Sequence, residues 1–263
     1  MTTETETQTD GETETGTAVY VYGIVPSDVE LDPEIRGVGD PPASVSTVAS
    51  GPIAALVSEI PQDAPLGRPE DLSAHAGLLD AAAAELPVLP LRFGAVVSDV
   101  DAVKEELLDA NQDDFTSALD QLEGKAEYLV RARYDERVIL REIIGENDRM
   151  GQLADAIRGK PEEATRNERM ALGELITQAI EAKRAADTQR VADALADLDV
   201  ELAARQPTHD EEAVHLAVLA EVERQDELED VVGELAKEWE GRVEVRLLGP
   251  LAAYDFVVTR TPE

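Results

Sequence analysis

Proline divides this 263-residue chain more sharply than any other residue. Ten of its 14 prolines fall between Pro26 and Pro90, and only Pro161 lies between Leu91 and Gln206. A proline fixes φ, removes a backbone donor and breaks the interior of an α-helix. The first third must therefore be built from strands, turns and short helices. The stretch after Leu91 is free to be helical. The length suggests two domains. We place a disordered acidic tail over 1–17, an N-terminal α+β domain over 18–125 and a C-terminal α+β domain over 126–263.

The tail holds eight Thr, five acidic residues and no base, and no apolar residue follows Met1 until Ala18. Such a segment has nothing to bury against its ordering entropy. Ala18–Val25 is β-branched and aromatic, which predicts a strand stopped by Pro26. Val45–Ala49 and Ile53–Ser58 flank Ser50-Gly51-Pro52 and predict a hairpin. Arg68-Pro69-Glu70-Asp71 opens a helix, with Leu72, Ala76, Leu79 and Ala83 as its buried face. Val88–Phe93 reads as a strand at a sheet edge, because Pro90 has no N–H to give to a neighbour. Asp99 caps the next helical region, carrying Val103, Leu107, Leu108, Phe115, Leu119 and Leu122.

The second half opens on Glu127–Tyr134, which alternates strictly as a strand does. Asp135 caps a helix through Ile143. A long helix is expected over about 161–205, with Leu172, Ile176, Val191, Leu195 and Leu202 on its buried stripe. That stripe thins to alanine and polar residues between Lys183 and Arg190. Strands over Ala213–Val222, Val243–Leu247 and Tyr254–Val258 and a helix over Gln225–Trp239 complete the chain. The fold class is α+β, with a largely helical C-terminal half. The order of the second half approaches a ferredoxin-like split βαβ with an enlarged first crossover.

Composition removes whole classes of function. With no Cys there is no disulfide, thiol catalysis, Cys-ligated zinc or iron–sulfur cluster. Fifty-seven acids against 23 Lys and Arg give a net charge of −34, which repels nucleic acid and anionic membranes. No stretch is long and apolar enough for a membrane span, and the acidic N-terminus lacks the features of a secretory signal. The expected compartment is the cytoplasm.

Motifs for catalysis are missing too. His75, His209 and His215 are too few and too scattered for a metal site, and no HExxH or GxSxG occurs. His75 stands four residues after Asp71, where a contact to that acid is expected. Gly37-Val38-Gly39 lacks the third glycine and following helix of a dinucleotide loop. With so many acids, carboxylate pairs carry no information. We expect no enzyme, no cofactor and no metal.

Four segments, in order, carry a resemblance. They are the strand ending Tyr22-Gly23-Ile24-Val25; the helix from Arg68-Pro69-Glu70-Asp71-Leu72 leading into Val88-Leu89-Pro90-Leu91-Arg92-Phe93-Gly94; Tyr128 to Ile143, reading YLVRARYDERVILREI; and Arg246-Leu247-Leu248-Gly249-Pro250-Leu251 with Tyr254-Asp255-Phe256-Val257. Together they resemble the gas vesicle protein F/L family over most of 18–258. The last motif departs from it: Ala252 and Ala253 stand where the family has prolines, and Asp255 where it more often has serine.

The resemblance implies two modified ferredoxin-like domains and a non-enzymatic accessory role in gas vesicle assembly. It implies binding of the major gas vesicle shell protein (GvpA type) early in vesicle formation, with other accessory proteins as further partners and some association with the vesicle. A shell subunit built for a water-repelling wall aggregates when left alone, and a holder for it needs solubility and an apolar or strand-edge docking surface. On that ground Tyr20, Tyr22, Leu89, Leu91 and Arg92 are the candidate docking residues. The competing reading makes the tyrosines and leucines core. An alternative function, a small-ligand-binding or enzymatic module on ferredoxin-like domains, would need a pocket of converging polar groups.

Overall fold

A computed structural model describes residues 16–257. The expected acidic tail lies outside the described residues up to position 15, and Thr17 already belongs to the first strand. Contacts gather the chain into two units, one of residues 16–78 and 90–117, the other of 79–89 and 118–257. The architecture is α+β.

In the first unit, β1 (Thr17–Pro26) pairs antiparallel with β3 (Ile53–Pro61), and β3 with β2 (Ser46–Ser50). The β2–β3 hairpin closes with Ser50 opposite Ile53, around Gly51-Pro52 as the sequence predicts. After α1 (Pro69–Ala83) the chain returns as β4 (Leu89–Pro90) and then β5 (Val96–Val97), both beside β1. The expected strand over 88–93 is thus cut to two residues. The break falls at Arg92–Gly94, where the Gly94 N–H leaves the ladder for Tyr20 Oη at 3.2 Å. Asp99 caps α2 (Val100–Ala102) as expected, accepting from Ala102 N at 2.8 Å. The helix then loosens to a π turn over Val103–Leu108, packed against β2 and β3, and continues as α3 (Gln112–Leu122).

The second unit runs β6 (Lys125–Tyr134), α4 (Glu136–Glu146), α5 (Asp148–Ile157), α6 (Arg166–Ala194), β7 (Glu201–Ala204), β8 (Glu212–Glu221), α7 (Gln225–Glu238) and β9 (Val243–Leu251). Its sheet order is β7-β8-β6-β9, all antiparallel, which is the ferredoxin-like arrangement with α4, α5 and α6 in the first crossover. The first sheet has the same order, β2-β3-β1-β4. There the first crossover, between β1 and β2, is irregular chain rather than helix. Pro33, Pro41 and Pro42 explain it, since each denies that stretch a helix interior.

Four expectations need correction. The α1 stripe is displaced by one position: Asp71, His75, Leu79 and Ala83 are buried, whereas Leu72 is 48% exposed and Ala76 is exposed. The long helix stops at Ala194 instead of continuing to about 205. Its last turn carries Asp193 and no base, and Asp197 and Asp199 follow, all unfavourable at the negative end of a helix dipole. Residues 201–204 are strand β7 instead, and Leu202 is 38% exposed. The expected final strand is a turn over 254–256, with Tyr254 N bonded to Ala252 O and Phe256 N to Ala253 O, while β9 runs on to Leu251; Val258 lies outside the described residues. Finally, α5 had no place in the sequence reading; Asn147 caps it, accepting from Arg149 N and Met150 N.

Candidate functional site

Strand β1 is buried along nearly its whole length, so its polar atoms must find partners inside. Tyr20 and Tyr22 lie with ring centroids 4.8 Å apart, and the His75 ring stacks near Tyr22 at 5.7 Å. His75 Nε2 lies 3.1 Å from Leu91 O, which can only accept, so Nε2 carries the hydrogen. Nδ1 is then the acceptor for Tyr20 Oη at 2.8 Å. Burial holds His75 below the ordinary histidine range, and both ring nitrogens are engaged. The expected His75–Asp71 contact does not form. Asp71 instead accepts from the backbone N–H groups of Gly39, Gly67 and Arg68 at 2.9, 3.2 and 3.1 Å. The Gly39 bond, foremost, keeps its carboxyl low despite burial.

A second relay fixes the crossover loop. Val38 N donates to Tyr22 Oη at 2.9 Å, Tyr22 donates to Ser58 Oγ at 2.8 Å, and Ser58 donates to Ser44 O at 2.9 Å. Gly37 permits it: a Cβ there would stand 1.7 Å from Tyr22 Oη.

The five candidate docking residues therefore separate. Tyr20 and Tyr22 are 0% exposed, Leu89 3% and Leu91 5%; their side chains are core. Arg92 alone is exposed. What the pattern of large side chains missed lies in the backbone. Both sheets have two edges, and three of the four carry a protective feature. β4 and β5, which share one edge of the first sheet, are two residues long each, and β4 has Pro90; β7 is four residues long and carries Glu201, and β9 carries Glu244, Arg246 and Pro250. The edge strand β2, Ser46-Thr47-Val48-Ala49-Ser50, has no charge and no proline, and among the described residues pairs only with β3. Such an edge is a template for another strand. The uncharged run was visible in the sequence; its place at an edge was not.

In the second unit, a cleft of about 650 Å³ is lined by Arg131, Arg133, Glu212, Arg246 and Leu248 among others. Its arginines are committed: Arg131 to Glu212 at 2.7 Å, Arg133 to Glu211, and Arg246 to Glu244 at 2.6 Å. Among the described residues no group of three or more His, Cys, Asp or Glu is placed to hold a metal ion, and no helix is long and apolar enough to cross a membrane.

The family model for gas vesicle synthesis protein GvpL/GvpF matches residues 18–258. The chain belongs to the GvpL/GvpF family. Gas vesicle protein F of Streptomyces sp. (strain CB03234) is 33% identical over 243 residues, covering 90% of this chain and 98% of that protein. Gas vesicle protein F of Dolichospermum flosaquae is 25% identical over 240 residues, covering 90% and 96%. The crystal structure of GvpF from Anabaena sp. PCC7120 superposes with a TM-score of 0.76 at 23% identity, over 93% of this chain and all of that one. GvpF from Microcystis aeruginosa gives 0.74 at 22%, over 91% and 98%. These likenesses establish the α+β fold and a gas vesicle-related role. The relatives are named for the gas vesicle and not for a reaction.

Proposed function

We propose that this member of the GvpL/GvpF family is a non-enzymatic accessory protein of gas vesicle assembly. It binds the hydrophobic shell protein of the GvpA type early in vesicle formation, in the cytoplasm and in association with the vesicle. The observation that carries the finer reading is the β2 edge. A shell subunit that seeks strand and apolar partners is satisfied by a strand-for-strand contact along Ser46–Ser50. The rest of the chain contributes solubility: a net charge of −34 opposes co-aggregation of holder and client. The polar clusters favour structure over catalysis, because His75 is bonded to Tyr20 of β1, and Asp71 and Tyr22 to the backbone of Gly39 and Val38 in the crossover loop.

Co-production of shell protein with this chain tests the reading. The expected result is a soluble complex that travels as one species in size-exclusion chromatography. Shell protein that sediments equally with and without this chain overturns it.

A further inference from the structure

The second unit contains a carboxyl pair that nothing in the assembly role uses. Glu127 sits on β6 on the side away from the core residues Ala126 and Tyr128, and is 2% exposed. One of its oxygens accepts the backbone N–H of Asp255 at 3.0 Å, which brings the Asp255 carboxyl close to its own. Asp255 belongs to the segment 252–257 that follows β9. The same segment is held at its start by Asp80, which accepts from Ala252 N at 3.0 Å. Ala253, between these two fastenings, and Phe256 and Val257, just after the second, pack on Leu122 and Leu219 and close a small apolar cluster.

A carboxyl buried beside a second carboxyl is costly to ionise, and a proton on Glu127 removes that cost. The charged and titratable neighbours do not remove it. Arg205 Nε lies 3.4 Å from Asp255 Oδ2 and compensates one charge. Lys125, next on the same side of β6, is taken by Glu201 at 3.7 Å, with Glu221 its cross-strand neighbour. Tyr254 and Asp80 add only negative or neutral groups, and burial pushes both above their ordinary values.

We propose that residues 252–257 form a pH-sensitive strap, closed over Leu122 and Leu219 while the buried Glu127 carboxyl is protonated and released when it ionises. In the closed state the Glu127 carboxyl holds a proton. On release that proton passes to water, leaving a carboxylate that is hydrated once the strap has opened. Burial, reinforced by Asp255, pushes Glu127 up to about 7, so the change falls across neutral pH. A carboxyl raised on closing favours the closed state fully below its ordinary value near 4.5, and that preference declines as pH rises towards 7 and above. This device is independent of the shell-protein reading.

The test is amide hydrogen exchange on the full chain at pH 6 and pH 8.5, corrected for intrinsic rates. Protection of the Ala252 and Asp255 amides is expected to fall by about tenfold at the higher pH, while the β6 amides stay protected. Glu127→Gln keeps an acceptor but cannot ionise, so its strap amides are expected to hold equal protection at both pH values. Should that variant lose β6 protection, Asp255→Asn replaces it, and the fall is then expected to shrink, because burial still raises Glu127 but the neighbouring carboxyl no longer adds to it. Strap protection that is flat in the natural chain, or that falls equally in the variants, overturns the proposal.

Discussion

Tyr20 and His75, 55 residues apart, meet through a 2.8 Å hydrogen bond that fixes the tautomer of the imidazole and ties α1 to the central strand of the first sheet. Burial favours the neutral ring, in which Nε2 donates to the Leu91 carbonyl and Nδ1 accepts from Tyr20 Oη.

The pH dependence follows. Because burial lowers His75 in the folded chain, the unfolded chain binds the proton more readily. The stabilising contribution is complete above the ordinary histidine value of about 6.5 and is lost as pH falls below it. In urea unfolding of the first unit, His75→Gln should be less stable than the natural chain at pH 7. It should also lose less on going to pH 5. Equal losses in both chains would show that His75 is already charged when folded.

Gly37→Ala tests the crossover relay. The new methyl would stand 1.7 Å from Tyr22 Oη and 2.6 Å from Cζ, so the Val38–Tyr22–Ser58 chain has to open. We expect a loss of about 2–3 kcal/mol, the scale of overpacking in a filled core, read from the denaturation midpoint. Tyr22→Phe in the same background should cost less than it does alone, because the clash with the hydroxyl is gone. Equal costs in the two backgrounds would refute the relay.

The gap in the α6 stripe between Lys183 and Arg190 has a polar explanation. Asp187, 9% exposed, accepts from Tyr134 Oη at 2.7 Å and from Arg242 Nη2 at 2.9 Å. Arg242 also donates to Glu142 at 2.8 Å, and Lys183 bonds Glu142 at 2.6 Å. Arg242→Met leaves Asp187 with the phenol alone and should cost about 3 kcal/mol. Adding Asp187→Leu should return part of that loss, since the uncompensated charge goes with it. A double variant weaker than the sum of the singles would contradict this account.

These residues also show where sequence reading succeeds and where it stops. β1, the β2–β3 hairpin, β6, β8 and α7 were legible because β-branched runs, alternation and caps are local signals. The α1 stripe was misplaced because its buried positions include Asp71 and His75. Hydropathy assigns such residues to solvent, and partners distant in sequence, Gly39 and Tyr20 among them, help make their burial tolerable. The turn over 254–256 was read as a strand because Tyr-Asp-Phe-Val fits that pattern locally. Its fastening to Glu127 is 128 residues away. Tyr20, Tyr22, Leu89 and Leu91 are buried for a related reason: aromatic and apolar side chains mark a core as readily as a surface, whereas β2 is distinguished by its position in the sheet.

The central claim is that β2 receives a strand of the shell protein. Amide exchange along Ser46–Ser50, measured with and without co-produced shell protein, tests it most directly. The account predicts that the β2 amides pointing away from β3 gain protection in the complex, and that Thr47→Lys with Ala49→Lys, folded by circular dichroism, no longer forms it. A complex that forms with β2 exchange unchanged, or that survives both lysines, would contradict it.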